Sequence, residues 1–156
     1  MTSIADADER RELGAKGIKE VEDVLRPRRH ELHGITRIYS SPLLRVKQTL
    51  EIAAQVLDLQ APIVESQNLK TGSRLREIVD FIAGLDFDAG DILVSSHQSC
   101  TSILVLWLTG EDVLIPHGSL LAIEIEQAER GAGRILWQDS RDGSKIKRSA
   151  DFVDQF

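Results

Sequence analysis

The run Asp91-Ile92-Leu93-Val94-Ser95-Ser96 is apolar through its middle, turns polar at its end, and passes almost at once into the strongly apolar stretch Ser99 to Leu108. A strand that is apolar on both faces has to be covered on both, which marks a parallel sheet held between layers of helices. The same hand-over occurs earlier. Ile38-Tyr39-Ser40 reads as the end of a strand spanning Thr36 to Ser40, and Leu44 to Leu57 reads as an amphipathic helix burying Leu50, Ala53, Ala54 and Leu57. Leu13 to Leu25 carries Leu13, Ile18, Val21, Val24 and Leu25 as one stripe, and ends at Pro27 among Arg26, Arg28 and Arg29, cations that suit the negative pole of a helix. Pro62 to Glu65 is a short strand. Thr71-Gly72-Ser73 is placed to cap a helix bearing Leu75, Ile78, Val79 and Ile82. Ser119 to Glu126 and Arg134 to Gln138, joined across Gly131-Ala132-Gly133, form an antiparallel hairpin. This alternation predicts a three-layer α/β/α sandwich with a mostly parallel sheet, one domain over residues 1–139, and a charged tail over 140–156.

Bulk properties narrow the function. With 25 acidic against 19 basic residues and a net charge of −6, the chain lacks the basic footprint of a nucleic-acid binder. Cys100 is its only cysteine, so no internal disulfide forms and a reducing compartment is compatible. The longest apolar run, Ile103 to Leu108, falls far short of the ~20 residues that span a bilayer. The acidic, polar start does not read as a signal peptide, and none is expected. A cytoplasmic protein with no nucleic-acid or membrane partner is expected.

In open α/β sheets ligands bind at the carboxyl ends of the strands. Arg45, in the first turn after one strand, and His97, directly after another, should therefore share a crevice. A guanidinium fork and an imidazole beside two helix N-termini form a receptor for a phosphoryl group. Ser41 either holds the loop or touches the phosphate.

The segment Ser41-Pro42-Leu43-Leu44-Arg45-Val46-Lys47-Gln48-Thr49 has the form Ser-Pro-x-x-Arg-x-x-x-Thr, and Ser95-Ser96-His97 is a strand ending in Ser-His. Together they resemble the histidine phosphatase superfamily, most closely its small bacterial phosphohistidine phosphatases (SixA-type). Arg11 to Gly17 is similar to that group's Arg-x-Leu-(x)3-Gly segment, and the similarity extends to about Ile125. It implies a phosphoglycerate mutase-like fold and phosphoryl transfer to a histidine and then to water. Arg45 and His97 would be catalytic groups, and they would bind phosphate together with Ser41. The resemblance implies no metal and no other cofactor, since two arginines and two histidines supply the positive charge. The substrate would be a phosphorylated protein bearing phosphohistidine, or a small phosphate ester. The short stretch between Glu65 and Asp91 favours an open site and hence a protein substrate.

Two departures stand out. Family members begin with a strand ending in Arg-His-Gly, whose histidine takes the phosphoryl group, and no such tripeptide occurs in the 156 residues. Met1 to Glu9 holds three acids and is not a buried strand. The expectation is that this strand precedes Met1; otherwise the slot is filled differently and the nucleophile is lost. Asn68 stands where many members carry a Glu as general acid, and an amide cannot donate a proton as an acid does. Alternative readings are therefore a non-catalytic relative that binds phosphate or phosphohistidine, and an α/β subunit completed by a strand from another chain.

The remaining candidates have plainer readings. His30 and His33 lack carboxylate or cysteine partners and read as solvated. His117, before the hairpin, reads as a loop residue, with the resemblance offering the alternative that it lines the same crevice. Arg10 and Arg11 read as exposed, Cys100 as packing, and Trp107 and Trp137 as core.

Overall fold

The computed structural model describes residues 11–140 and the backbone of 147–148. Its helices are α1 (Ala15–Leu25), α2 (Leu44–Leu57), α3 (Leu75–Ala83) and α4 (Gln98–Thr109). Its strands are β1 (Ile35–Ser40), β2 (Ile63–Glu65), β3 (Asp91–Ser95), β4 (Val113–Leu114), β5 (Leu120–Glu124), β6 (Arg134–Asp139) and β7 (Lys147–Arg148). β1 lies between β2 and β3 and pairs with both in parallel, which gives the order β2-β1-β3. Ile38 lies opposite Leu93 and Tyr39 opposite Val94, so consecutive residues serve opposite faces.

The core follows that alternation. On one face Ile38 joins Leu25 of α1 and Leu50, Ala53 and Leu57 of α2, with Leu93 and Leu120 packed alongside. On the other, Ile78, Phe81 and Ile82 of α3 meet Cys100 and Leu108 of α4, with Tyr39, Val94 and Ile123 against them. The sheet thus has helices on both sides, the three-layer α/β architecture expected. Two glycines are closely approached. A Cβ on Gly17 would lie 2.7 Å from the tip of the Leu13 side chain, which packs over the first turns of α1 and could shift to make room. Gly90 has φ +105, and a Cβ there would meet Thr36 Oγ1 at 2.6 Å; β3 enters the sheet at this point.

The strand and helix assignments stand, with shifts of one or two residues at their ends. α3 is capped at Arg74 rather than within Thr71-Gly72-Ser73, because Glu77 reaches back to accept the Arg74 N–H at 2.7 Å. β4, too short to carry a periodic signal, pairs with Lys147–Arg148, so that part of the tail is structured. The rest of the tail, with Phe152, Val153 and Phe156, and the N-terminal stretch through Arg10 lie outside the described residues. Neither tryptophan is fully buried. Arg28 sits 3.9 Å over the Trp137 ring and is gripped by Asp139 at 2.6 Å, tying the end of α1 to β6. Among the described residues no helix is long and apolar enough to cross a membrane.

One expectation fails at β3. Ile92 to Ser95 are half-buried, not buried, and among the described residues only one edge of the strand has a neighbour. β5 pairs with β6 alone, in the antiparallel hairpin foreseen, and the described strands form no continuous sheet across β3 and β5. A cavity of about 230 Å³ lies between them.

Candidate active site

The two strand ends converge through the backbone. The N–H of Ser41, just past β1, donates to the carbonyl of Ser95 at 3.1 Å, and Ser66 N–H donates to Ser40 at 2.9 Å. The carboxyl ends of β2, β1 and β3, from two of which α2 and α4 follow, are thereby tied together. Ser41 is fully buried, and its hydroxyl accepts from Leu43 N–H at 3.2 Å. Of its two candidate roles, these bonds are those of loop holding.

Arg45 is the second residue of α2 and half-buried, and its carbonyl accepts from Thr49 Oγ1 at 2.8 Å. That bond accounts for the threonine of the Ser-Pro-x-x-Arg-x-x-x-Thr pattern. The neighbouring cation Lys47 is committed to Glu65 at 2.6 Å, across to the end of β2. On the inner side of α2, Gln48 accepts the N–H of Leu13 at 2.7 Å and anchors the approach to α1.

His97 is the residue at which α4 begins, and its carbonyl accepts from Thr101 N–H at 3.0 Å. Both neighbours are pinned: Ser96 Oγ donates to Leu69 at 2.9 Å, and Gln98 donates to Ile115 at 3.3 Å. The ring lies near Ser99 Oγ, 3.2 Å from Nδ1, while Nε2 is buried with no hydrogen-bond partner among the described residues. A buried, unmatched polar atom costs about 1–3 kcal/mol, which a ligand oxygen relieves. Neither α2 nor α4 has a side-chain cap, so their first N–H groups are available to an anion.

Arg45, Ser41 and His97 thus belong to adjoining strand-to-helix turns. His117 is exposed in the loop before β5, and His30 and His33 are exposed beyond the end of α1. Asn68 lies in a short 3-10 turn, Gln67–Leu69. No group of metal-ligating side chains occurs among the described residues. Sequence reasoning missed the supports: the Ser95 carbonyl, Gln98 and the Lys47–Glu65 pair. A backbone acceptor leaves no mark in a sequence, and Lys47–Glu65 spans two elements whose registry only the sheet sets.

Comparison with known proteins agrees with this geometry. A family model of the histidine phosphatase superfamily (branch 1) matches residues 6–79. No curated protein matches. Among solved structures, that of the protein histidine phosphatase SixA complexed with tungstate superposes with a TM-score of 0.76 at 24% identity, covering 86% of this chain and 87% of that one. A SixA-type protein from Agrobacterium tumefaciens gives 0.70 at 16% identity, with 88% of both chains covered. The alpha-ribazole phosphatase from Shigella flexneri gives 0.63 at 18%, with 88% of this chain and 92% of that one covered. At these identities the structures establish the fold, which is the phosphoglycerate mutase-like one. The chain is thus similar to the histidine phosphatase superfamily by sequence over residues 6–79 and shares the fold of SixA-type structures over most of its length.

Proposed function

We propose that the chain is the scaffold of a phosphohistidine phosphatase-like phosphoryl hydrolase, with Arg45 and His97 binding the transferred phosphoryl group and Ser41 bracing the loop between them. The observation that carries the reading is the bond from Ser41 N–H to the Ser95 carbonyl, which draws together the turn bearing Arg45 and the turn bearing His97. The unmatched Nε2 of His97 and two uncapped helix N-termini supply donors suited to an oxyanion. The similarity to a SixA structure with tungstate, itself a tetrahedral oxyanion, favours the same reading. The substrate class is a phosphohistidine-bearing protein, in a reducing cytoplasmic setting that suits a lone cysteine.

A second reading has its own observation. The sequence holds no Arg-His-Gly, and no other histidine of the described residues stands at the strand ends beside His97, so these 156 residues by themselves act as a phosphate-binding relative rather than as a complete enzyme. Calorimetry with vanadate or tungstate tests the shared premise. Arg45→Ala should weaken binding by about 1.5–3 kcal/mol, the scale of a charge-assisted hydrogen bond. Unchanged affinity would place the anion elsewhere and sink both readings.

A further inference from the structure

His97 is the N-cap of α4, held in extended backbone, and no side chain caps the helix there. The first N–H groups of α4 therefore have no acceptor within the helix, whereas Thr101 N–H reaches the His97 carbonyl at 3.0 Å. The positive pole of a 12-residue helix thus adjoins the imidazole. In that first turn the hydroxyl of Ser99, the second residue of α4, stands 3.2 Å from Nδ1 of the ring. Among the described residues neither the ring nor the Ser99 hydroxyl has another hydrogen-bond partner. The backbone on both sides is already fixed, by Ser96 on the Leu69 carbonyl and Gln98 on that of Ile115. What remains free is the turning of the ring, and the Ser99 contact removes that freedom.

The contact has two forms in a neutral ring. Either Nδ1–H donates to Ser99 Oγ and Nε2 keeps a bare lone pair, or the Ser99 hydroxyl donates to Nδ1 and Nε2 carries the proton. A carboxylate at Nδ1 would impose the first form, because it only accepts. Among the described residues none bonds to the ring. A hydroxyl serves either form, so its surroundings decide. The unmatched N–H groups of the first turn repel a proton on Nδ1 and attract a lone pair there.

We propose that Ser99 is a positioning residue, whose hydroxyl donates to Nδ1 of His97 and keeps the ring proton on Nε2, so that His97 meets a phosphoryl oxygen as a hydrogen-bond donor. With Nδ1 occupied by the hydroxyl and Nε2 by its proton, neither nitrogen offers a lone pair to phosphorus. His97 then holds the phosphoryl group without taking it over. The purpose of the arrangement rests on the oxyanion reading of the site, but the state of the ring is a property of the free protein, so the two are tested apart.

The test uses the 156-residue chain labelled with 15N, with the His97 signals identified by their loss in His97→Gln. At alkaline pH and without any anion, long-range proton–nitrogen spectra should show Nε2 protonated and Nδ1 bare. In Ser99→Ala the Nδ1 signal should move toward that of an unbonded ring nitrogen, and Ser99→Thr, which keeps the hydroxyl, should restore it. Ser99 is exposed and Ala is a good helix former, so the fold tolerates the change. Calorimetry with vanadate should show affinity about three- to tenfold weaker in Ser99→Ala, the scale of one neutral hydrogen bond, and recovery in Ser99→Thr. A proton on Nδ1 in the parent, or an Nδ1 signal indifferent to Ser99→Ala, would overturn the proposal. So would vanadate affinity that Ser99→Ala leaves unchanged while the Nδ1 signal moves. A parent that binds no vanadate, yet whose ring signals respond as expected, would sink the oxyanion reading and leave the assignment of Ser99 to the ring standing.

Discussion

At the scale of single residues, position in the fold separates side chains that look alike in the sequence. Of the basic cluster at the end of α1, Arg28 alone turns inward. It forms a two-pronged pair with Asp139, 2.6 and 3.2 Å, a second pair with Glu31, and a stack on Trp137. Partly exposed pairs of good geometry and cation–π contacts each contribute up to about 1 kcal/mol. Arg28→Ala should therefore lower stability by about 1–2 kcal/mol with a change in Trp137 fluorescence. Arg26→Ala, which loses only an exposed pair with Glu22, should cost less than about 0.5 kcal/mol. Equal midpoints in urea for the two variants would contradict this ranking. Cys100 offers a pH test. Burial raises its thiol pKa, with a hydrogen bond to Ser96 opposing in part. The folded state thus holds the proton more tightly than the unfolded chain, whose thiol titrates near ~8.5. The stability this provides is complete below that value and is lost as pH rises above it toward the folded pKa. A Cys100→Val variant should show a smaller fall in stability between about pH 8 and 10 than the parent, and thiol reagents should label the parent only as it unfolds. Rapid labelling of the native protein would refute the account.

At the scale of elements, the hand-over from the preceding turn into β3 depends on a glycine. Gly90 holds φ +105 with Thr36 against it; Thr36 Oγ1 in turn donates to Ala89 at 2.9 Å, and Arg37 donates to the Gly90 carbonyl at 3.1 Å. These bonds fix where β3 starts and therefore which of its residues face β1. Gly90→Ala should destabilise by about 1–3 kcal/mol, the range for a side chain forced into a strained backbone region. A companion Thr36→Ala should recover the part due to the clash and leave the part due to φ. Full recovery, or no loss in the single variant, would show that the backbone there is not constrained as described.

At the scale of the whole molecule, the split between β2-β1-β3 and β5-β6 governs what the chain can do. The strand ends tied at Ser41 and Ser95 present an arginine and a histidine, but a hydrolase working through a covalent intermediate needs a second, nucleophilic histidine. The 156 residues should bind oxyanions and yet hydrolyse p-nitrophenyl phosphate far more slowly than the 1–1,000 per second on the order of which ordinary enzymes turn over. Loss of a nucleophile typically costs several orders of magnitude. Turnover in the ordinary range, abolished by His97→Ala, would make His97 the phosphoryl acceptor and refute this expectation.

Much of this was legible in the chain itself, for a physical reason. Helix and strand periods are local, so Leu44–Leu57 and the β5-β6 hairpin follow from the spacing of their apolar residues and from turn glycines. The placement of Arg45 and His97 on adjoining turns was legible because each lies within a few residues of a strand end, and parallel strands deliver their carboxyl ends to one side. What the sequence could not decide depends on groups distant along the chain. The half-burial of β3 goes with an edge that pairs with no other described strand and not with its own composition, which reads as a fully covered strand. The loop-holding bonds of Ser41 and the grip of Arg28 on Asp139, 111 positions away, likewise exist only once the layers have packed. Backbone polar groups are the same in every residue, so which of them find partners is set by the tertiary fold alone.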